Sequence, residues 1–174
     1  MEYLPFVVAF YLVLTLAYFG RKKPGYSHIK HTISELAESG SNTEKQVSYL
    51  VFLPVGVTMG VMTLLVKSNE PAFLFSVSLA FGYLAASLFP IDSDAPFFGS
   101  WKNIVHNLSA GISYVLAMSA FEDVAHDTEF PYALGKFLIM AFLVSIYIPY
   151  VRDYRGLLQR IVEIAIFSGL ISVI

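Results

Sequence analysis

The residues able to do chemistry lie in short polar stretches between long apolar ones. The first such stretch contains His28, His31 and Ser34. On a helix, imidazoles three residues apart lie near one face and can share a metal with a third ligand from elsewhere. We therefore predict a zinc site with His28, His31 and the more distant His106 as ligands, and with Ser34 orienting water or stabilising an oxyanion. The alternative is a solvated helix beside the membrane that contacts lipid headgroups.

Two carboxylates follow the third apolar stretch. Asp92 and Asp94 are two residues apart, and Pro90 and Pro96 on either side restrict the backbone. Such a pair suits a bound cation, or general acid–base catalysis when one carboxylate is desolvated. We predict that Asp92 or Asp94 acts as metal ligand or general base. The alternative is a polar loop in which Asp92 caps a short helix.

A third polar group lies inside the fourth apolar stretch. His106, Ser109 and Ser113 follow one stripe of a helix. Ionisable residues within membrane spans usually face the bundle interior and mark function, so we expect His106 to face inward. The alternative is a histidine that only hydrogen-bonds to a neighbouring helix.

A fourth group is basic. Arg152 and Arg155 lie between the last two apolar stretches. They suit anionic lipid headgroups, at about 1 kcal/mol for each charge near the surface. Arg160 and Glu163 are three residues apart and can form an ion pair. The alternative role for the arginines is to set membrane topology.

The elements that position these groups are predicted from the apolar stretches. The chain of 174 residues is 56% hydrophobic and 14% charged, whereas soluble domains average about 25% charged residues. A membrane helix needs about 20 mostly apolar residues. Six stretches qualify: residues 3–19, 47–66, 72–89, 104–121, 132–150 and 157–174. We therefore predict an all-α, six-transmembrane-helix bundle that forms a single integral membrane domain over residues 1–174.

The basic residues orient this bundle. Of the 11 Lys and Arg residues, all but two lie in or beside the first, third and fifth gaps between apolar stretches. Cytoplasmic loops are enriched in Lys and Arg, so these gaps are predicted to be cytoplasmic and both termini outside. Ser34, Asp92 and His106 then share the cytoplasmic side of a cell membrane. His126 lies outside and is expected to be solvated.

Composition excludes several classes of function. The net charge of −2 offers no basic surface for nucleic acid. The absence of cysteine excludes disulfides, thiolate metal sites and a thiol nucleophile.

Two local patterns predict packing and secondary structure. Gly56 and Gly60 form a GxxxG pattern, which is typical of close helix packing and points to a homo-oligomer formed through the second span. Residues 28–38 are predicted to form a short helix that ends at Gly40.

Two motifs carry a family resemblance. They are His-Thr-Ile-Ser-Glu-Leu at residues 31–36 and Phe-Pro-Ile-Asp at residues 89–92, followed by His106. In this order they resemble the domain-of-unknown-function 998 family, which consists of small prokaryotic six-span membrane proteins. Ala37 stands where the family motif has a glycine. The resemblance implies the number and order of the spans, and it implies no reaction.

The chain is also similar, more distantly, to the alkaline-ceramidase-like membrane hydrolases. That superfamily uses a serine, an aspartate and three histidines around zinc at the cytoplasmic side. The resemblance implies these roles for Ser34, Asp92, His28, His31 and His106. The chain lacks the seventh span of that superfamily and its late His-x-x-x-His motif.

Three functions compete at this point. The leading hypothesis is a metal-dependent hydrolase of a membrane lipid or amphiphile, in which zinc lowers the pKa of its bound water to about 7. The second is a non-enzymatic protein that binds lipid, transports a small solute or serves as a partner subunit. The third is a b-type haem protein with His31 and His106 as axial ligands.

Overall fold

The protein is built from long helices. The computed structural model describes residues 2–127, 132–146, 148 and 150–174, and the side chain of His126 lies outside what it describes. Six long helices occupy these ranges: α1 (Leu4–Lys22), α2 (Glu44–Leu65), α3 (Glu70–Leu88), α4 (Trp101–Asp127), α5 (Tyr132–Ser145) and α6 (Arg155–Ser172). Two short 3-10 helices, Ser34–Ala37 and Arg152–Tyr154, lie in loops.

Four of these helices are long and apolar enough to cross a membrane: α1, α2, α3 and, up to Val124, α4. The apolar helix Ala133–Ser145 is shorter. Large hydrophobic side chains lie on the outer surface, among them Phe6, Phe10 and Leu14 of α1, while the inner face of α1 is apolar as well. A helix that is apolar all round is typical of a membrane span. The prediction of an all-α chain with membrane-type helices is confirmed.

A proline shapes α2. The helix contains a π-helical turn at Ser48–Phe52, shortly before Pro54. Pro54 has no N–H to donate to the carbonyl of Leu50, four residues earlier. The hydroxyl of Tyr11 in α1 donates a hydrogen bond to this carbonyl. The proline site of α2 is therefore tied to α1.

Small residues let α3 and α4 approach closely. Ser78 Oγ donates to the Ser113 carbonyl and Ser113 Oγ donates to the Ser78 carbonyl, both at 2.8 Å. A Cβ on Gly82 would lie 2.7 Å from Ser113 Oγ, so only glycine fits there without a shift. Small residues and hydroxyl bonds are typical of helix association in membranes. Ser113 and His106 are both buried, so the polar stripe of α4 faces the interior as predicted.

One of the two glycines in the GxxxG pattern of α2 is used for helix packing within the chain. A Cβ on Gly56 would lie 2.8 Å from the Leu84 backbone nitrogen, so this glycine lets α2 and α3 pack. A Cβ on Gly60 would have no neighbour within 4 Å among the described residues. The homo-oligomer through Gly56 and Gly60 stays a prediction, with Gly60 as the glycine that has an open face.

The loops predicted to share one side meet at one end of the molecule. The Ser39 N–H donates to the Ile91 carbonyl at 2.8 Å, which joins the loop after α1 to the loop after α3. The Leu157 N–H at the start of α6 donates to the Ile29 carbonyl at 3.0 Å. Residues that are far apart in sequence therefore meet at one polar end.

The loop after α1 does not contain the predicted helix over residues 28–38. Its helical part is Ser34–Ala37, a single 3-10 turn. The N–H and the hydroxyl of Thr32 both donate to Glu35 Oε2, at 2.6 and 2.9 Å. Such local side-chain bonds compete with helical backbone bonds. The prediction of a shared helical face for the two loop histidines is therefore wrong.

Candidate functional site

A serine–histidine pair forms the centre of the polar end. Pro90 follows α3, so the Phe89 carbonyl has no helical partner, and His106 Nδ1 lies 2.7 Å from it. Because a carbonyl only accepts, Nδ1 carries the proton and Nε2 is left as an acceptor. Ser34 Oγ lies 3.0 Å from Nε2 and donates to it. An imidazole in this geometry can activate a serine hydroxyl as a nucleophile.

A buried ion pair fixes the segment that carries Ser34. Glu35 Oε1 lies 2.8 Å from Arg155 Nη2 of α6, and the two side chains are only 4% and 9% exposed. On the other side of Ser34, the Ile33 N–H donates to Gln159 Oε1 at 2.6 Å. Ser34 is thus held between two links to α6.

The two predicted catalytic aspartates make other contacts. The Asp92 carboxylate accepts from the N–H and the hydroxyl of Ser100, at 2.6 and 2.8 Å. Ser100 precedes α4, and its Oγ accepts from the Asn103 N–H, as a helix N-cap does. Asp94 is exposed, and its carbonyl accepts from Arg152. Asp92 therefore stabilises the start of α4, which was the alternative to a catalytic role.

The histidines of the first loop belong to a separate cluster with Tyr26 and Arg160. Arg160 Nη2 donates to the Tyr26 hydroxyl at 2.6 Å and lies 3.0 Å from His28 Nδ1. His31 Nδ1 accepts from the Ser27 N–H at 2.8 Å. Burial raises the pKa of Tyr26 to about 12, although Arg160 acts in the opposite direction. Burial and the Arg160 charge lower the pKa of His28, and the same charge disfavours a cation there.

The three predicted zinc ligands make hydrogen bonds in two separate clusters. His106 contacts Ser34 and Phe89, whereas His28 and His31 belong to the cluster of the first loop. Among the residues that the structure describes, no group of three or more His, Cys, Asp or Glu side chains is arranged to hold a metal ion. The zinc and haem hypotheses stay predictions, and these contacts lend them no support.

The basic residues around the start of α6 differ in exposure. Arg152 is exposed, as a residue that binds surface headgroups should be. Arg155, for which the same role was predicted, is buried and pairs with Glu35. Arg160, predicted to pair with Glu163, donates to two carbonyls of the first loop at 2.8 and 3.1 Å. The arginines thus link α6 to the polar loops.

An apolar groove opens beside the serine–histidine pair. It has a volume of about 670 Å³ and is lined by the loop after α3, the outer face of α4 and the end of α5. Ser34, His106 and Arg155 are among the few polar residues that line it. Ligand pockets typically enclose about 300–1,000 Å³ and are mostly apolar. The apolar groove therefore has the size and lining of a ligand site.

A smaller and more polar cavity lies against the same pair. It has a volume of about 50 Å³, and Ser34 and His106 line it as well. Elsewhere in its wall, the hydroxyls of Tyr83 and Tyr114 donate to the two carboxylate oxygens of Glu163, at 3.0 and 3.3 Å. We call this space the polar cavity.

One buried donor at the site has no partner. Arg155 Nη2 pairs with Glu35, but Arg155 Nε–H makes no hydrogen bond to any described residue, although it is buried. Leaving a buried donor without a partner costs about 1–3 kcal/mol, and the cost is larger when the group is charged. Arg155 lines the apolar groove, but because its Nε is buried, an oxygen atom of a ligand reaches this N–H only when the groove lining shifts.

Sequence reasoning missed the polar group around Glu163. Tyr83 and Tyr114 lie in apolar stretches, where a tyrosine is not unusual. Gln159 and Glu163, however, are four residues apart and therefore share a face of α6. A carboxylate in a stretch predicted to span the membrane is expensive and usually functional, so this spacing was the available signal.

Comparison with known proteins gives a family match. The family model described as "Protein of unknown function (DUF998)" matches residues 6–174, which is nearly the whole chain. No curated protein and no solved structure matches the chain. The family resemblance of the two sequence motifs is confirmed.

Proposed function

The chain belongs to the DUF998 family of proteins of unknown function, and we propose that it is a membrane-embedded serine hydrolase of acyl esters in lipids or other amphiphiles. The observation that carries the proposal is the 3.0 Å contact between Ser34 Oγ and His106 Nε2 in the wall of the apolar groove. In this proposal His106 is a general base and not a zinc ligand.

The first chemical step uses the pair and the ester alone. Ser34 Oγ attacks the carbonyl carbon while His106 Nε2 takes its proton, and this proton then passes to the leaving alcohol. The Phe89 carbonyl, 2.7 Å from Nδ1, holds the reactive tautomer and stabilises the imidazolium that forms. A carbonyl dipole does this less strongly than the aspartate of a full triad, so we expect slow turnover.

The apolar groove favours a substrate with an acyl chain. Leu108, Ile112 and Val115 line it and are exposed on the outer face of α4. In a bilayer this face meets hydrocarbon, so a lipid chain enters from the side. Because the chain is already in hydrocarbon, the groove selects it by shape and packing, and the polar contacts at the pair supply the rest of the affinity.

Arg155 supports the polar part of the substrate. Its unpartnered Nε–H is buried and donates to a carbonyl or headgroup oxygen when the substrate moves the groove lining aside, and hydrogen bonds to charged groups are about twice as strong as neutral ones. The Glu35 carboxylate holds the guanidinium at 2.8 Å. The headgroup role predicted for Arg155 is retained as a buried contact, and Arg152 keeps its predicted role at the surface.

We also propose that all six helices cross a prokaryotic cell membrane, with the serine–histidine pair towards the cytoplasm. The convergence of the basic loops supports this orientation. Because the chain has no cysteine, single cysteines report on topology directly. Ser93→Cys should react with an impermeant maleimide only in inverted vesicles, and Ser68→Cys only in right-side-out vesicles. The reverse pattern would contradict the orientation.

The hydrolase proposal is tested with an alkyl fluorophosphonate, which labels activated serines. The unaltered protein, purified in detergent, should be labelled at Ser34, and mass spectrometry locates the label. The Ser34→Ala variant should not be labelled. His106→Ala should react at least about 100-fold more slowly, since a general base contributes that much or more. The control is Ser109→Ala, because Ser109 is buried on α4 and lines neither space. Equal labelling of Ser34→Ala would refute the proposal.

The apolar groove by itself favours a second candidate, lipid binding without chemistry. The contact between Ser34 and His106 would then only join the first loop to α4. Native mass spectrometry that finds a bound lipid, together with an unlabelled Ser34 and no ester turnover, would decide for this candidate.

A further inference from the structure

We infer that the polar cavity is a water chamber, which supplies the hydrolytic water to the serine–histidine pair and uses Glu163 to orient it. The inference rests on the proposed function and deepens it. It assigns the second substrate of the hydrolase, water, to a site separate from the groove that takes the ester.

The two spaces share the reactive pair. Ser34 and His106 line both the apolar groove and the polar cavity. An acyl chain that fills the groove leaves the polar cavity as the remaining space beside the pair. A buried water needs about 10–15 Å³ of such space and two to four polar partners. The cavity volume of about 50 Å³ therefore accommodates several waters.

The wall of the polar cavity offers the partners that buried water needs. Tyr83 and Tyr114 both donate to the Glu163 carboxylate. Gln159 Nε2 donates to the Tyr114 hydroxyl at 3.1 Å, and Gln159 Oε1 accepts from the backbone next to Ser34. Each carboxylate oxygen has more than one acceptor position, so Glu163 can accept from water as well as from the tyrosines.

The position of Glu163 indicates a role beyond packing. Between Ile161 and Phe167 its helix is otherwise apolar, and an ionisable group in a membrane span is costly. Among the described residues no ion pair joins Glu163 to a lysine or arginine. Two phenol donors satisfy part of the carboxyl group, and water in the polar cavity supplies its remaining hydrogen bonds.

The deacylation step balances with water as the only other reactant. The water oxygen bonds to the carbonyl carbon of the acyl ester on Ser34 while one proton moves to His106 Nε2. The bond between this carbon and Ser34 Oγ then breaks, Oγ takes the proton from His106, and the carboxylic acid leaves. Glu163 accepts a hydrogen bond from the water, so it is a positioning residue and exchanges no proton overall.

The test is a competition between two nucleophiles for the acyl group. Protein in detergent receives p-nitrophenyl butyrate together with decanol, and the short acyl group leaves most of the apolar groove open for decanol to reach the pair. Glu163→Leu should raise the ratio of decyl ester to free acid about tenfold, the factor for one hydrogen bond. Tyr83→Phe should raise it less. Both products come from the same folded molecules, so partial unfolding leaves the ratio unchanged.

The control and the outcomes separate this inference from the hydrolase proposal. Glu70→Leu removes a carboxylate that lines neither space and should leave the ratio unchanged. An unchanged ratio in Glu163→Leu would overturn the water chamber while the hydrolase stands. If the unaltered protein forms neither product, the proposed function fails, and the inference fails with it.

Hydration of the polar cavity is also measured without any reaction. X-ray hydroxyl-radical labelling oxidises side chains next to bound water. Tyr83, which lines the polar cavity and not the apolar groove, should be oxidised in the intact protein. Phe75, which is buried against Phe121 and lines neither space, should not be. An unlabelled Tyr83 would mean a dry cavity and would overturn the inference whatever the activity.

Discussion

The apolar groove and the polar cavity lie on two sides of one helix. Leu108 and Ile112, on the outer face of α4, line the groove of about 670 Å³, whereas Ser113 on the inner face lines the cavity of about 50 Å³. His106 belongs to both. One side chain of α4 thus faces a lipid-like space and a water-like space at once. A membrane hydrolase of the proposed kind needs this, because its acyl chain comes from the bilayer and water does not.

The difference between the two spaces follows from the packing of α4. Its outer face carries large hydrophobic residues, which suit hydrocarbon. Its inner face meets α3 through Ser78, Gly82 and Ser113, which are small and line the polar cavity. The same small residues that bring the helices together therefore border the space for water.

The largest effect is expected when the support of the shared pair is removed. Arg155→Met leaves the Glu35 charge buried without its partner, and such a loss costs about 3–5 kcal/mol. The segment that carries Ser34 then keeps its link through Gln159 but loses the one through Glu35, so the wall that the groove and the cavity share should loosen. Thermal unfolding in detergent should show a much lower midpoint, and ester hydrolysis should be lost.

Two variants check this prediction. The double variant Glu35→Gln/Arg155→Met has no unpaired buried charge and should recover part of the midpoint. Lys30→Met removes an exposed ion pair with Asp153, 3.6 Å apart, and should change the midpoint little. If Arg155→Met and Lys30→Met were equally stable, the buried pair would not be the support that we describe.

The second largest effect is expected from filling the groove alone. A side chain at Gly111 would point into open space in the apolar groove. Gly111→Leu should therefore lower the hydrolysis of long-chain esters about tenfold, since overpacking by one side chain costs about 1–3 kcal/mol. Acetyl esters, which do not occupy the groove, should be hydrolysed as before. Initial rates over a series of chain lengths measure this selectivity.

The matched control is the same substitution at another open helical glycine. Gly60→Leu has no neighbours within 4 Å of its Cβ, as at Gly111, but lines neither space. It should leave chain-length selectivity unchanged. A change of oligomeric state in Gly60→Leu would in turn support the predicted contact through α2. Equal chain-length selectivity in Gly111→Leu and Gly60→Leu would mean that the apolar groove does not bind the acyl chain.

The helices and the polar end could be predicted from the sequence, because apolar length and the bias of Lys and Arg act over whole segments. Ser34 and His106 could be named as candidate site residues, because the same bias places them on one side of the membrane. Their mutual contact could not be predicted, since it depends on how the loop after α1 folds. That loop follows the bond between Thr32 and Glu35 rather than helical spacing.

Pairings inside the bundle were also beyond sequence reasoning. Glu35 and Arg155 are 120 residues apart, and no periodic pattern links them. Arg160 and Glu163 have the spacing of a helical ion pair, yet each finds partners on other segments. Local spacing identifies candidate ion pairs, while tertiary packing decides which residues actually become partners.

A smaller effect is expected at Asp92, which lines neither space. Asp92→Asn weakens the bonds to Ser100 and thereby the start of α4, at a cost of about 1 kcal/mol. The unfolding midpoint should fall slightly, and the rate of fluorophosphonate labelling at Ser34 should stay the same. A general base at Asp92 would make this rate fall about 100-fold or more, so such a fall would restore the catalytic prediction.

The smallest effect is expected at His28, which also lies outside both spaces. Burial and Arg160 lower the pKa of His28 in the folded protein, so the unfolded chain binds its proton first as pH falls below about 6.5. The free energy of unfolding contributed by His28 is therefore present above pH 6.5 and declines below it. His28→Asn keeps an acceptor near Arg160 but does not titrate. The free energy of unfolding, measured with denaturant between pH 5 and 8, should fall with a shallower slope below pH 6.5 in His28→Asn than in the unaltered protein. Ester selectivity should be unchanged. An identical slope would mean that the charge of Arg160 does not act on this imidazole.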